Sequence, residues 1–116
     1  MDETTAILNK LMDVATVRQR VLANNLANIN TPGFKRQDVR FQEALASAVE
    51  MGGIDQVKQV KPDIYLDTTM PARADGNTVS LEDEMSKMVQ NNILFDFSAK
   101  TLKAKFMRIH SAIKGM

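Results

Sequence analysis

The chain has 116 residues, no Cys, a single His and a formal net charge of +1, from fifteen Lys and Arg against fourteen Asp and Glu. That size fits one domain rather than a two-domain enzyme, and the near-zero charge supplies no net field to hold a nucleic-acid backbone. Without Cys, and with only His110, disulfides, thiolate catalysis and multi-histidine metal sites are excluded, and metal chemistry would have to rest on carboxylates.

The opening residues Asp2-Glu3-Thr4-Thr5 lack the basic start and apolar core of a cleaved signal peptide. This favours the cytoplasm unless the protein leaves by a route that reads no such signal. From Thr4 to about Ile29, the residues Leu8, Leu11, Ala15, Arg18, Leu22, Asn25 and Ile29 recur at spacings of three and four, the seam of a heptad, and predict one long helix within residues 1–30. A second row, Ile7, Val14, Val21 and Asn28, widens the apolar face beyond what one partner helix covers. Two neighbours are therefore expected, with faces shared between subunits.

Asn is a poor interior helix residue because its amide competes for backbone groups, yet Asn24, Asn25, Asn28 and Asn30 fall within seven positions. Thr31-Pro32-Gly33-Phe34 fits a type II turn with Pro and Gly at its centre. The turn does not account for Asn24 and Asn25, whose amides are expected to satisfy groups on a neighbouring chain and fix register. Lys35-Arg36, with Arg40 nearby, is a basic cluster interrupted by Asp38. With few aromatics to stack on bases, it reads as a solvated turn or a salt-bridging interface patch.

In the middle, residues 31–80, Phe41 to Glu50 predicts a short helix ended by Gly52-Gly53. Val57, Val60, Ile64, Tyr65 and Leu66 are β-prone, while Pro62, Pro71 and Asp75-Gly76-Asn77 punctuate the chain, so loops with one or two short strands are expected.

Over residues 81–116, Leu81, Met85, Met88, Asn92, Phe95, Ala99, Leu102, Phe106, Ile109 and Ile113 alternate spacings of four and three. Such a pattern predicts a second long helix. Ser80 and Asp83 mark its start as in a capping box, and Lys114-Gly115 mark its end. Val89, Ile93 and Phe97 lie beside the seam. Glu82, Asp83 and Glu84 read as acids favoured by the helix dipole rather than a catalytic pair, Met85 and Met88 as adaptable packing, and His110 as a surface or interface side chain. Laid antiparallel, the seams place Ile29 opposite Leu81, Asn25 by Met85, Leu22 by Met88, Arg18 by Asn92, Ala15 by Phe95, Leu11 by Ala99 and Leu8 by Leu102. Phe106, Ile109 and Ile113 then project beyond the first helix and need cover from another subunit. The fold expected is mainly α: two long terminal helices packed antiparallel as a coiled coil, with a short helix and an irregular, β-prone middle segment. No apolar run is long enough to span a membrane.

Asn24-Asn25-Leu26-Ala27-Asn28, followed by Thr31-Pro32-Gly33-Phe34-Lys35, resembles the N-terminal signature of the flagellar axial proteins, the rod and hook family of the bacterial flagellum. Asp75-Gly76-Asn77, Val79, Leu81-Glu82, Glu84-Met85 and the closing helix through Ser111-Ala112-Ile113 are similar to the C-terminal half of its proximal-rod members. Phe34 stands where many relatives have Tyr, and 116 residues cannot hold the large middle domains of the distal rod and hook proteins. The resemblance implies one rod-type domain over residues 1–116, a structural subunit of the basal-body rod and not an enzyme. It implies assembly with copies of itself and with other rod and basal-body proteins to transmit torque. It also implies passage through the flagellar type III export apparatus to the periplasm without a cleaved signal peptide. Nucleic acid, cofactor and membrane span have no place in that picture. The assembly and motif residues it marks are Leu8, Leu11, Leu22, Asn24, Asn25, Asn28, Thr31, Pro32, Gly33, Phe34, Met85, Met88, Asn92, Phe95, Leu102, Phe106 and Ile109. The alternative is a cytoplasmic helical-bundle chaperone or adaptor, which would share the long helices but would not require the two motifs. A small hydrolase would need a nucleophile or metal set that the sequence does not offer.

Overall fold

The computed structural model describes residues 2–115. Two long helices, α1 (Glu3–Ala27) and α4 (Leu81–Lys114), enclose in sequence a strand β1 (Gln37–Arg40), two short helices α2 (Gln42–Met51) and α3 (Ile54–Gln59), and a strand β2 (Asp63–Leu66). α1 begins at Asp2, whose carboxylate accepts the Thr5 amide at 2.8 Å, and α4 begins at Ser80, whose hydroxyl accepts the Asp83 amide at 3.4 Å. Both are N-caps that satisfy an otherwise orphaned backbone donor. The long helices run antiparallel: Asn25 meets Glu84, Asn91 meets Ala15 and Gln19, and Lys105 pairs with Asp2.

The second row of α1 is covered by the chain's own middle segment, not by another subunit as expected from sequence. Ile7 packs on Ala6, Ala48, Val57 and Val60, while Val14 and Val21 pack on Val39 and Phe41. This packing also explains two elements that the sequence reading did not foresee. α3 has six residues, too few for a periodic signal, and is held by fully buried Val57. β1 falls where a solvated turn or interface patch was expected, and it pairs antiparallel with β2, Val39 opposite Ile64 and Arg40 opposite Asp63. A lone two-stranded ribbon is marginal in water, so its anchorage on α1 through Val39 and Phe41 is what stabilises it.

α4 departs from the expected seam by one row. Its fully covered residues are Glu84, Asn91 and Ser98, seven apart, flanked by half-buried Met88, Phe95 and Leu102. Leu81, Met85, Asn92, Phe106, Ile109 and Ile113, expected in the seam, face solvent. Ala15 and Phe95 do line one depression together, but Asn25 meets Glu84 rather than Met85, and Arg18 turns to Asp38 rather than Asn92. Part of the reason is chemical: Glu84 and Asn91 bind specific polar partners at the contact with α1, and the row of Met85, Val89, Ile93 and Phe97 is left outside.

The molecule measures 66 × 28 × 14 Å with a radius of gyration of 17.8 Å. A compact domain of this length would have about 13 Å. Its accessible surface is 7594 Å², against about 6,300 Å² for a compact monomer of this mass. Among the described residues, nine of the thirteen large apolar side chains that face solvent lie on α4.

Candidate functional site: a buried polar junction and an uncovered helix face

The two sequence motifs, separated by some forty residues, form one junction at the end where α1 stops and α4 starts. Thr31-Pro32-Gly33-Phe34 makes the type II turn, with the Phe34 amide donating to the Thr31 carbonyl at 3.2 Å and Gly33 at φ 75°. Gly76 sits at φ 84°, and a Cβ there would stand 3.4 Å from the Gly33 Cα, so the two turns touch at glycines. The Gly33 amide donates to the Asp75 carbonyl at 2.8 Å, and the Thr78 amide donates to the Phe34 carbonyl at 3.0 Å.

Asn77 closes the end of α1. Fully buried, its amide nitrogen donates to the carbonyls of Asn28, Ile29 and Thr31 at 2.9, 3.1 and 2.8 Å, and its side-chain oxygen accepts the Val79 amide at 2.7 Å. These carbonyls belong to the C-cap and to the turn that follows α1, so a side-chain amide from a distant segment fixes the path of the chain as it leaves the helix. Arg73 adds a guanidinium contact to the Ile29 carbonyl.

Beside this lies Arg36, fully buried, with three carboxylates around its guanidinium. Its Nε donates to Glu84 Oε1 at 2.5 Å, its Nη1 to Asp67 Oδ2 at 2.5 Å and its Nη2 to Asp38 Oδ2 at 3.1 Å. Arg18 from α1 donates to the other Asp38 oxygen at 2.8 Å. Burial alone would lower the Arg36 pKa, but hydrogen bonds with Glu84 and Asp38 outweigh it and hold the guanidinium above its ordinary value. For Asp38, burial pushes the pKa up, and the bonds from Arg18, the Val39 amide and Arg36 reverse that, leaving it below the usual carboxylate value. Asp67 is shifted the same way, its burial offset by Thr69 and Arg36.

Asn25 ties the cluster to α1. Its nitrogen donates to the Gln37 carbonyl at 2.7 Å and to Glu84 Oε2 at 3.1 Å, and its oxygen accepts the Gln37 amide at 3.0 Å. The expectation that Asn25 serves a neighbouring chain is thereby corrected: all of these partners belong to its own chain. Asn24 is exposed, and its carbonyl accepts from Asn28, whose side-chain oxygen accepts the Thr31 hydroxyl at 3.2 Å. Thr31, Pro32 and Gly33 are exposed and Phe34 is half-buried. Leu8 and Leu22 are buried in α1, with Leu11 half-covered.

Sequence reasoning passed over Arg36, Asp38, Asp67, Asn77 and Glu84. Glu84 was read as a dipole acid, and Arg36 with Asp38 as a solvated or interface patch. A signal was present: Glu84 lies seven and fourteen residues before Asn91 and Ser98, so the three share one face of a helix. Arg36 and Asp38, two apart, likewise share one face of an extended segment. Among the described residues no group of three His, Asp or Glu side chains is placed to hold a metal ion, and no helix is long and apolar enough to cross a membrane. The junction's hydrogen bonds and ion pairs fix where α4 leaves α1.

The second feature is the outer face of α4. Met85, Val89, Ile93 and Phe97 form a ridge at spacings of four, each more than half exposed, whereas past Lys105 the exposed Phe106, Ile109 and Ile113 follow the row of Met88, Phe95 and Leu102 and Met107 lies on the ridge side. His110 is exposed on this end.

The family model for the flagella basal body rod protein matches residues 13–35, the second half of α1 and the turn. The chain is 29% identical to the flagellar basal body rod protein FlgB of Aeromonas hydrophila, covering 98% of this chain and 95% of the relative. It is 28% identical to the protein of that name from Borrelia hermsii, over 93% of each, and 25% identical to that of Escherichia coli strain K12, over 100% of this chain and 91% of the relative.

Proposed function

We propose that this chain, which belongs to the flagellar basal body rod protein family, is a structural subunit of the bacterial flagellar basal-body rod that assembles with copies of itself and with other rod proteins to carry torque. The observation that carries the reading is the end-to-end similarity to rod proteins, over 93–100% of this chain in the three relatives named above. The architecture agrees with it. A shaft element must transmit force without shearing, and two long helices locked by a buried ionic junction and close-packed side chains resist sliding. The polar junction sets the angle between the helices in each copy, and the apolar ridge of α4 supplies contact surface for neighbours. The role is structural and not enzymatic. The destination is the periplasmic rod, reached through the flagellar type III export apparatus without a cleaved signal peptide.

Isolation of basal bodies from cells carrying an epitope-tagged copy tests the reading. The tagged chain is expected in the purified particles at the base of the rod, visible by electron microscopy, and deletion is expected to abolish rod completion and motility. Intact basal bodies that lack the chain would refute it.

A further inference from the structure

Residues 98–116 carry five of the fifteen basic side chains and none of the fourteen acidic ones, so this end holds a formal +5. The other residues, with ten basic and fourteen acidic groups, hold −4. The +1 total hides a strongly dipolar chain. The basic end is also apolar: Phe106, Met107, Ile109 and Ile113 are all exposed, the last to 66%. Elsewhere, α1, α2 and α4 enclose an open apolar groove of about 540 Å³ lined by Ile7, Leu11, Leu45, Val49 and Leu94, with Glu50 at its rim. Glu43, seven residues before Glu50 on α2, lines the adjoining depression on the same side of that helix. Phe97, three residues past Leu94, extends the groove outward onto the exposed ridge.

We propose that the basic apolar end of α4 in one copy docks into the acid-rimmed groove between α1, α2 and α4 of a second copy. The proposal rests on the rod-subunit reading and gives it a contact. α4 is continuous to Lys114, so its last nine residues run about 13 Å past Lys105 and away from the groove of their own chain. The chain's own α4 end is therefore not the occupant. Charge selects the same pairing, since Lys103, Arg108 and Lys114 approach Glu43 and Glu50, and like-charged alternatives are disfavoured. The surface in excess of a compact monomer, roughly 1,300 Å² by the mass scaling, exceeds the roughly 800 Å² that one partner contributes to a standard interface. A contact between two different patches is heterologous, and repeated it generates rings or open helical stacks.

The chain has no Cys, so introduced thiols are unique. Ser111→Cys on the α4 end and Ser47→Cys on α2 are small changes at exposed positions. The two variants, differently tagged, are expressed together in cells lacking the native copy, and isolated basal bodies are treated with a short bismaleimide. A cross-link joining the two tags is expected, with little product when either variant is present alone. Lys103→Glu with Arg108→Glu in the first variant should remove most of this product, and Glu43→Lys with Glu50→Lys in the second should restore it. Cross-links from Ser111→Cys only to a different basal-body protein, or a yield indifferent to charge reversal, would overturn the docking while leaving the rod reading intact. Absence of the unmodified chain from basal bodies would remove both.

Discussion

Between Ser80 and Ser98, α4 lies on α1 through Glu84, Asn91 and Ser98, each nearly or wholly buried, whereas from Phe106 to Lys114 every residue of the same helix is exposed. The first stretch places polar groups inside and apolar ones outside; the second places apolar groups outside with basic ones between them. Polar contacts need particular partners in a particular geometry, so they define one intrachain arrangement, while an apolar ridge accepts any complementary surface. Uniqueness of fold is thus carried by the inner row up to Ser98, and capacity for association by the outer ridge and by the end of the helix past Lys105.

The largest way to break that contrast is to remove the centre of the junction. Arg36→Met leaves Glu84 and Asp67 without their cation and Asp38 with Arg18 alone, and a loss of about 3–5 kcal/mol is expected in urea unfolding of the purified chain. A loss below about 1 kcal/mol would mean that the junction is not what fixes the helices. Acid probes the same groups. Asp38 and Asp67 have folded pKa values below their unfolded ones, so their stabilisation is complete above the ordinary carboxylate pKa of about 3.9 and is lost as pH falls through the lower folded values. Urea midpoints should therefore hold steady from neutral pH down to about 5 and drop below about 4. In Arg36→Met, Asp38 and Asp67 lose a cation that holds their protons off, their folded pKa values move back towards the unfolded ones, and the drop in acid should shrink.

Next in size is Asn77→Ala, which strips the Asn28, Ile29 and Thr31 carbonyls of a shared donor and is expected to lower stability by about 1–3 kcal/mol. Asn25→Leu belongs beside it: its first consequence is loss of fold stability, because its partners Gln37 and Glu84 are in the same chain. Thermal melts of the two variants check both. Gly76→Ala forces a side chain to φ 84° against Gly33 and should lose about 1–2 kcal/mol. The smallest effect on the isolated chain is expected for the outer ridge. Ile93→Ser with Phe97→Ser should shift unfolding by within about 0.5 kcal/mol per site, as exposed substitutions do, yet impair motility. A large destabilisation of the monomer would show that the ridge is covered within the chain.

The two long helices were legible because a heptad sustained over many turns has few other readings. The packing face of α1 was legible too, since its apolar residues are buried in its own chain. The face of α4 was not. Counting apolar residues sets the seam one row off: Met88, Phe95 and Leu102 do flank the contact with α1, while Leu81, Met85 and Asn92 face solvent. β1 was hidden because Arg36, Asp38 and Arg40 alternate in charge where a strand is usually sought among apolar residues, and here the inward partners are ions. The motifs around Asn25 and Asp75-Gly76-Asn77 were visible as motifs, but nothing local in either says that they meet each other.

Hydrogen exchange of the purified chain at low concentration tests the contrast within α4 most directly. Amides from Glu84 to Ser98 are expected to be strongly protected together with the centre of α1, and those from Phe106 to Lys114 to exchange rapidly. Even protection along α4 to Lys114 in a monomer, or rapid exchange around Glu84 and Asn25, would contradict the division of the helix into an anchored stretch and an uncovered one.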